Sequence, residues 1–533
     1  MSADRGHVFQ KAREHLTTPV DGAFLAFFRL TVGGAFLFSF LSYLTTGWVE
    51  YFYVSPEFHF KYLGFGWVHA LPGSGMRWLF QALCVVAAMV ATGTCYRVSS
   101  VLLAMGYTYV FLIDKSQYQN HYYLLMLTAW LMVFVPAQRV FSIDSWWAAR
   151  GGNTSACGQS VPRWCLWIVR FQVALPYFFG GIAKMNADWV HGQPMRMKLA
   201  NSTWYPIIGS FFTQEWCVQL FVWGGLLFDL LVVPFLLCKR TRLAAFFVSL
   251  SFHLMNATLF SIGVFPWFMI LATMVYFEPD WPRVFRRRRG SLPTSADVRR
   301  DTPRWLARGL IAYVAIQLLL PWRHLCYPGN VNWTEEGHFF AWHMKLRDKK
   351  TVCKFRWRDP ETNEIGDVNI LQFITQQQAS HATGDPEMIV QFCRYLKQKI
   401  SEQRGRDCEI YALNLTSLNG RKPQPLVNPT IDLGSVEVQV YLPETVFTVL
   451  SEPLRPYDPW RIPREEWVRH VEVENQEFWF GPADDPPSAP PTLEAQSRLR
   501  PPSHDLIENA PETPRHTDSA EDDQRLLVSG GGS

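Results

Sequence analysis

The sequence has none of the short signatures that announce the common soluble enzymes. No P-loop, GxGxxG, GxSxG or HExxH element occurs in its 533 residues, which excludes the usual phosphate cradles, the nucleophile elbow and the helical zinc pair. Ten cysteines are scattered without CxxC or zinc-ligand spacing, so no metal site is expected. Charge is scarce at 18%, below the roughly one quarter of a typical soluble chain. The net charge of +4 gives no reason to expect a nucleic-acid partner. There is no internal repeat. The first fifteen residues, MSADRGHVFQKAREH, lack the apolar core of a cleavable signal peptide, so the first apolar segment is expected to serve as signal and anchor together.

What the sequence does have is long apolar runs, nearly all before residue 322, and aromatics at 15%. Membrane segments are expected near 24–44, 78–95, 98–113, 122–136, 164–183, 217–238, 243–263, 264–277 and 306–322. A bilayer core takes about 20 helical residues, so the shorter of these read as half-spans and the total as about 8–9 segments. Basic residues choose an orientation. With Lys11 and Arg13 in the cytoplasm, alternation also puts Arg97, Arg139, Arg150, Arg163, Lys239, Arg240, Arg242 and Arg286–Arg289 inside, as the positive-inside rule requires. Residues beyond 322 then lie outside. The fold class expected is a polytopic α-helical membrane bundle (1–322), a smaller extracytoplasmic α+β domain (323–480) and a disordered Pro-rich, acidic tail (481–533). In the second part, Thr351–Trp357 and a return ending near Ile370 read as a hairpin, 387–403 as a helix, and Glu409–Ser417 and Val436–Leu442 as strands. Cys326, Cys353, Cys393 and Cys408 leave room there for one or two disulfides whose pairing the spacing does not fix.

The same alternation brings two polar loops, Asp114–His121 and Lys184–Trp189, to the outer mouth of the bundle. Lys184 ends an apolar segment, where desolvation disfavours the ammonium and a neutral amine could serve as a base; a lysine snorkelling to the headgroups would look the same. His121 could exchange a proton or bind an anion, or merely sit at the interface. His253 and Asn256 lie one helical turn apart inside a span, either lining a ligand pocket or bonding helices together. Asp188 and Trp189 read as a helix cap and an interface anchor. Asn201, Asn332 and Asn414 each begin a glycosylation triplet on the expected outer side.

Leu112–Lys115 followed by Asn120–Leu124 resembles the LDK…NNHSYL stretch of the vitamin K-dependent γ-glutamyl carboxylases. Lys184–Val190 is similar to their KLDADWV, and Phe252–Asn256 with Leu259–Gly263 to FHCMN…LFSIG. Asn332–Thr334 with Trp342, and Asn428–Pro429 with Ile431–Asp432, continue the resemblance in order to about residue 445. It implies γ-carboxylation of protein glutamate coupled to O2-dependent epoxidation of vitamin K hydroquinone, or of menaquinol in a bacterial homologue, with O2 and CO2 as co-substrates. A lysine matching Lys184 would deprotonate the hydroquinone, and the alkoxide formed with O2 would take a γ-proton from glutamate. A histidine matching His121 would assist at the carbanion. Asn120, His253 and Asn256 become candidates for the quinone pocket. Membrane lipid and a glutamate-containing protein or peptide are the implied partners. The chain departs from the animal enzymes at Gln119, at Asn186, in Gly337–Lys345 and in its single soluble domain. A quinol epoxidase without a protein substrate, and a non-catalytic membrane binding protein, therefore stay open as alternatives.

Overall fold

The computed structural model describes residues 10–11, 13–152, 160–260, 262–285, 302–438, 441–454, 467 and 475–480; the expected tail, the Arg286–Arg289 run and Cys157 lie outside them. Among the described residues, seven helices are long and apolar enough to cross a membrane. They are α1 (Ala23–Thr45), α2 (Gly75–Thr92), α3 (Tyr96–Ile113), α6 (Trp164–Ala183), α7 (Glu215–Leu237), α8 (Arg242–Phe260) and α10 (Arg304–Leu319, extended by 3-10 turns to Cys326). The two shortest expected segments form the shorter helices α4 (Asn120–Phe134) and α9 (Phe265–Thr273), and α5 (Ile143–Arg150) is a short connector. At 1.5 Å per residue the 23 residues of α1 reach about 35 Å, enough for the hydrocarbon core.

Small residues decide how closely these helices approach, because lipid supplies no hydrophobic drive between them. A Cβ on Gly33 of α1 would lie 2.5 Å from the Ala91 nitrogen of α2. On α6, a Cβ on Gly181 would meet Leu230 of α7 at 2.7 Å. Buried Arg29 on α1 is satisfied by carbonyls, donating to Ala91 (3.2 Å), Ala137 (2.6 Å) and Phe141 (2.7 Å), as an intramembrane cation must be.

The α+β domain follows. Its four-stranded antiparallel sheet has the order β4-β3-β5-β6, where β3 is Lys349–Arg358, β4 Ile365–Val368, β5 Glu409–Leu418 and β6 Gln424–Pro425; β1 (Pro19–Asp21) and β2 (Ser160–Pro162) form a separate pair. Helix α11 (Gln376–Ala382) precedes α12 (Pro386–Arg404), which packs on β5. α12 starts where Asp385 accepts from the Glu387 and Met388 N–H groups, has Pro386 in its first turn, and stops at left-handed Gly405. The hairpin and helix expected from the sequence are present. Val436–Leu442 is not a strand in its described residues; the fourth strand is the two-residue β6, held by Leu415↔Pro425 and Thr416↔Gln424. The described cysteines are all unpaired thiols. Asn332 and Asn414 are buried, and Asn414 is hydrogen-bonded through both ends of its amide, so neither accepts a glycan in the folded chain, whereas Asn201 is exposed. Residues Met1–Glu474 form one compact unit, and the short helix Gln476–Phe480 belongs to a second.

Candidate active site

Several contacts fix the α+β domain on the bundle, among them backbone bonds from Glu57 and Phe58 to the Phe373 carbonyl and the paired bonds of Lys61 with Gln391. Asp114, the residue after α3, accepts from the Ser116 N–H (2.9 Å) and from Gln378 Nε2 on α11 (2.7 Å). Its neighbour Lys115 is buried in an ion pair with Glu387 of α12 (2.6 Å). At the second polar loop, Asp188 takes a fork from Arg421, both contacts 2.7 Å, and a bond from Asn419 (2.8 Å). In this loop the short helix Ala187–Val190 is capped by Asn186, whose side chain accepts from the Trp189 N–H. The sequence reading of Asp188 as a cap is thereby corrected: its carboxylate turns to the other domain, where a guanidinium is waiting.

These tethers hold residues 335–348 as a wall over the end of the helix bundle. Between residues 335 and 345 the backbone is left-handed at Glu335, Phe340, Trp342 and Lys345, a conformation costing non-glycine residues on the order of 1 kcal/mol or more each. Ion pairs hold it: Glu335 is buried between Arg347 and Lys349, the latter at 2.6 Å. The Phe340 N–H donates to the Tyr118 hydroxyl (2.8 Å), which itself donates to Asn120 Oδ1 (3.2 Å). Asn120 Nδ2 completes the link by donating to the His343 carbonyl (3.0 Å).

Beneath the wall lies a cavity of about 940 Å3. Its floor is apolar, with Phe221, Phe228, Phe252, Phe265 and Met269 from α7, α8 and α9. Its rim is polar. All five residues singled out from the sequence line it: Lys184, His121, Asn120, His253 and Asn256. His121 opens α4, its ring 4.3 Å from Tyr122 and 5.9 Å from Phe265. Buried His253 accepts or donates at Nε2 with the Tyr177 hydroxyl (2.6 Å), while its Nδ1 has no partner among the described residues. Asn120 lines the cavity with both ends of its amide engaged, Oδ1 by Tyr118 and Nδ2 by the wall.

Lys184 caps the C-terminus of α6 and is buried. It is not the isolated amine that the sequence led us to expect. Its Nζ lies 2.5 Å from Oδ2 of Asp229 on α7 and 3.4 Å from the Gly180 carbonyl, with the Trp189 ring at 5.3 Å. Gly180 makes room for this pair, since a Cβ there would stand 3.2 Å from Asp229 Oδ2.

A family model for the HTTM domain matches residues 17–281. A second, described as the vitamin K-dependent gamma-carboxylase lumenal domain, matches residues 302–451. The chain belongs to the vitamin K-dependent γ-carboxylase family. It is an integral membrane protein carrying that family's lumenal-type domain. No solved structure matches it.

Within this family member, sequence reasoning missed the acid beside Lys184 and most of the wall. Asp229 had a signal, as a lone carboxylate in the apolar run Leu226–Leu231; such residues face a partner or a cavity. His338, His343, Lys345, Arg347 and His381 also line the cavity, and nothing in their spacing foretold it, because the left-handed backbone that turns the wall inward is a tertiary property. Burial, and next the charge of Lys198, moves the Lys345 ammonium below its ordinary range. Burial, then the nearby His324 and Arg347, brings His343 down to about 3, so its imidazole is neutral at physiological pH.

Proposed function

We propose that this protein is a membrane γ-glutamyl carboxylase driven by a reduced K-type quinone, with Lys184 as the group that takes the quinol proton and His121 as the group that serves the glutamate side. What supports the reading is the convergence of Lys184, His121, His253 and Asn256, from three parts of the chain, on one cavity with an apolar floor and a polar rim. The cavity suits a quinol: four phenylalanine rings for its apolar body, and the partnerless buried Nδ1 of His253 for a ring oxygen. When bound, the reduced quinone and O2 supply a base stronger than any side chain, which abstraction of a glutamate γ-proton demands. The chain's own part is to position, to exclude water and to move the first proton. Exposed Leu220 of α7 and Phe247 and Val248 of α8 also line the cavity, which favours access for a lipophilic ligand from the bilayer side. Lys345 also lines the cavity from the wall and suits an incoming carboxylate. In this reading the N-terminus is cytoplasmic and the α+β domain, beginning near residue 323, is extracytoplasmic.

The test combines purified protein, vitamin K hydroquinone, O2 and labelled bicarbonate, with and without a glutamate-containing peptide. Label in the peptide together with quinone epoxide is expected. Epoxide without label would leave a quinol epoxidase, and neither product would leave a binding protein. Lys184→Ala should abolish the epoxide while the folded protein accumulates; epoxidation at the wild-type rate would remove Lys184 from the reaction.

A further inference from the structure

A base must be free of its proton when the substrate arrives, yet Lys184 sits against a carboxylate. An ammonium held by Asp229 cannot accept anything. The arrangement works if the proton has somewhere else to go, and the 2.5 Å contact supplies the place. Both groups are buried, with side chains 9% and 6% exposed, so little of either is open to bulk water. In so dry a site the zwitterion has little of the advantage it enjoys in water, and the proton can cross from nitrogen to oxygen at small cost.

Resting on the reading of Lys184 given above, we infer that Asp229 is its proton-holding partner: Oδ2 accepts the ammonium proton, leaving a neutral amine that takes the proton of a bound quinol hydroxyl. The inventory closes. One N–H bond breaks as one O–H bond forms on Asp229, and a second N–H bond forms as the ligand's O–H bond breaks. The pair then holds two protons and one positive charge facing the ligand's single negative charge. An ionised Asp229 would have cancelled that positive charge; a protonated one leaves it to stabilise the new anion. Asp229 touches Lys184 and acts through it, so it is a positioning residue.

Among the described residues that line the cavity, Asp229 is the one carboxylate. Tyr177 and His253, from α6 and α8, are bonded to each other. Asp188 is taken by Arg421, and Arg196 by Glu215. His121, His338, His343, His381, Lys345 and Arg347 face the cavity from α4 and the α+β domain and offer no carboxylate.

Infrared difference spectroscopy on the intact protein, under anaerobic conditions so that no turnover occurs, reads the claim directly. Adding vitamin K hydroquinone should raise the carbonyl band of a protonated carboxylic acid that shifts in D2O and on 13C-aspartate labelling. It should be absent from Asp229→Asn. No such band in the wild type overturns the proposal, and that result does not depend on any variant folding. Epoxidation supplies a second readout. The acid limb of its pH profile should move up by about one unit or more in Asp229→Asn, where no carboxylate can take the ammonium proton, and should stay near the wild-type position in Asp229→Glu; an unmoved limb in the former overturns the idea. Lys184→Ala separates the two layers. If it retains epoxidation, the reading of Lys184 has failed; if it is inactive while the wild type shows no carboxylic band, only the role of Asp229 has.

Discussion

Burial governs Asp114 more strongly than its hydrogen bonds do. Desolvation raises its carboxyl to about 6, against the bonds from Ser116 and Gln378 that favour the charge. The native chain therefore binds more protons than the unfolded chain between about pH 4 and 6, and stability falls as pH rises through that window. The loss is on the order of 3 kcal/mol for this group. Asp114→Asn should flatten the dependence of the thermal midpoint between pH 4.5 and 6.5; an unchanged slope would assign it to other groups. His121 makes a separate prediction about chemistry. His121→Ala should lose labelling of the peptide and keep part of the quinone epoxidation, as its proposed role on the glutamate side requires. Equal loss of both products would argue against a glutamate-side role.

At the scale of elements, the pair of helices α6 and α7 carries the site. Gly180 and Gly181 let them approach until Asp229 reaches Lys184. Gly181→Val would drive branched carbons into Leu230, where even a Cβ stands 3.2 Å from the backbone nitrogen. Overpacking of that kind costs about 1–3 kcal/mol, and the helices relieve it by separating. A lowered thermal midpoint with a fall in epoxidation of tenfold or more is the expected result. A variant with wild-type activity would mean that the pair tolerates the separation. The glycines were visible in the sequence, but only the register of α7 against α6 shows that they face Leu230 and Asp229 rather than lipid.

The whole molecule depends on docking one domain on the other. Arg421 on the α+β side is the chief partner of Asp188 on the bundle side, and both are nearly buried. Burial works to raise the Asp188 carboxyl, and the bonds from Arg421 and Asn419 together with the Arg421 charge outweigh it and hold the group below the ordinary carboxylate range. Arg421→Met removes the cation and leaves that carboxylate with Asn419 alone, a change worth about 3 kcal/mol. Faster proteolysis of the α+β domain in detergent is expected, together with a raised KM for peptide, since the wall over the cavity belongs to that domain. Unchanged proteolysis and KM would show that the remaining tethers suffice.

Hydropathy and alternation were enough to read the membrane bundle, the hairpin and the long helix α12, since each follows from the pattern of apolar residues along one segment, and the meeting of the two polar loops, since it follows from the number of segments between them. They failed at Val436–Leu442, whose alternation imitates a strand, and at Asp188, whose partner lies more than 200 residues away. Lys184 and His121 could be chosen from sequence because a polar group at the end of an apolar run is costly wherever it packs. What Lys184 packs against is a different matter. Only the tertiary structure set Asp229 beside it and turned a neutral-histidine wall over the cavity, because these contacts arise from glycine-permitted helix approach and left-handed backbone held by distant ion pairs.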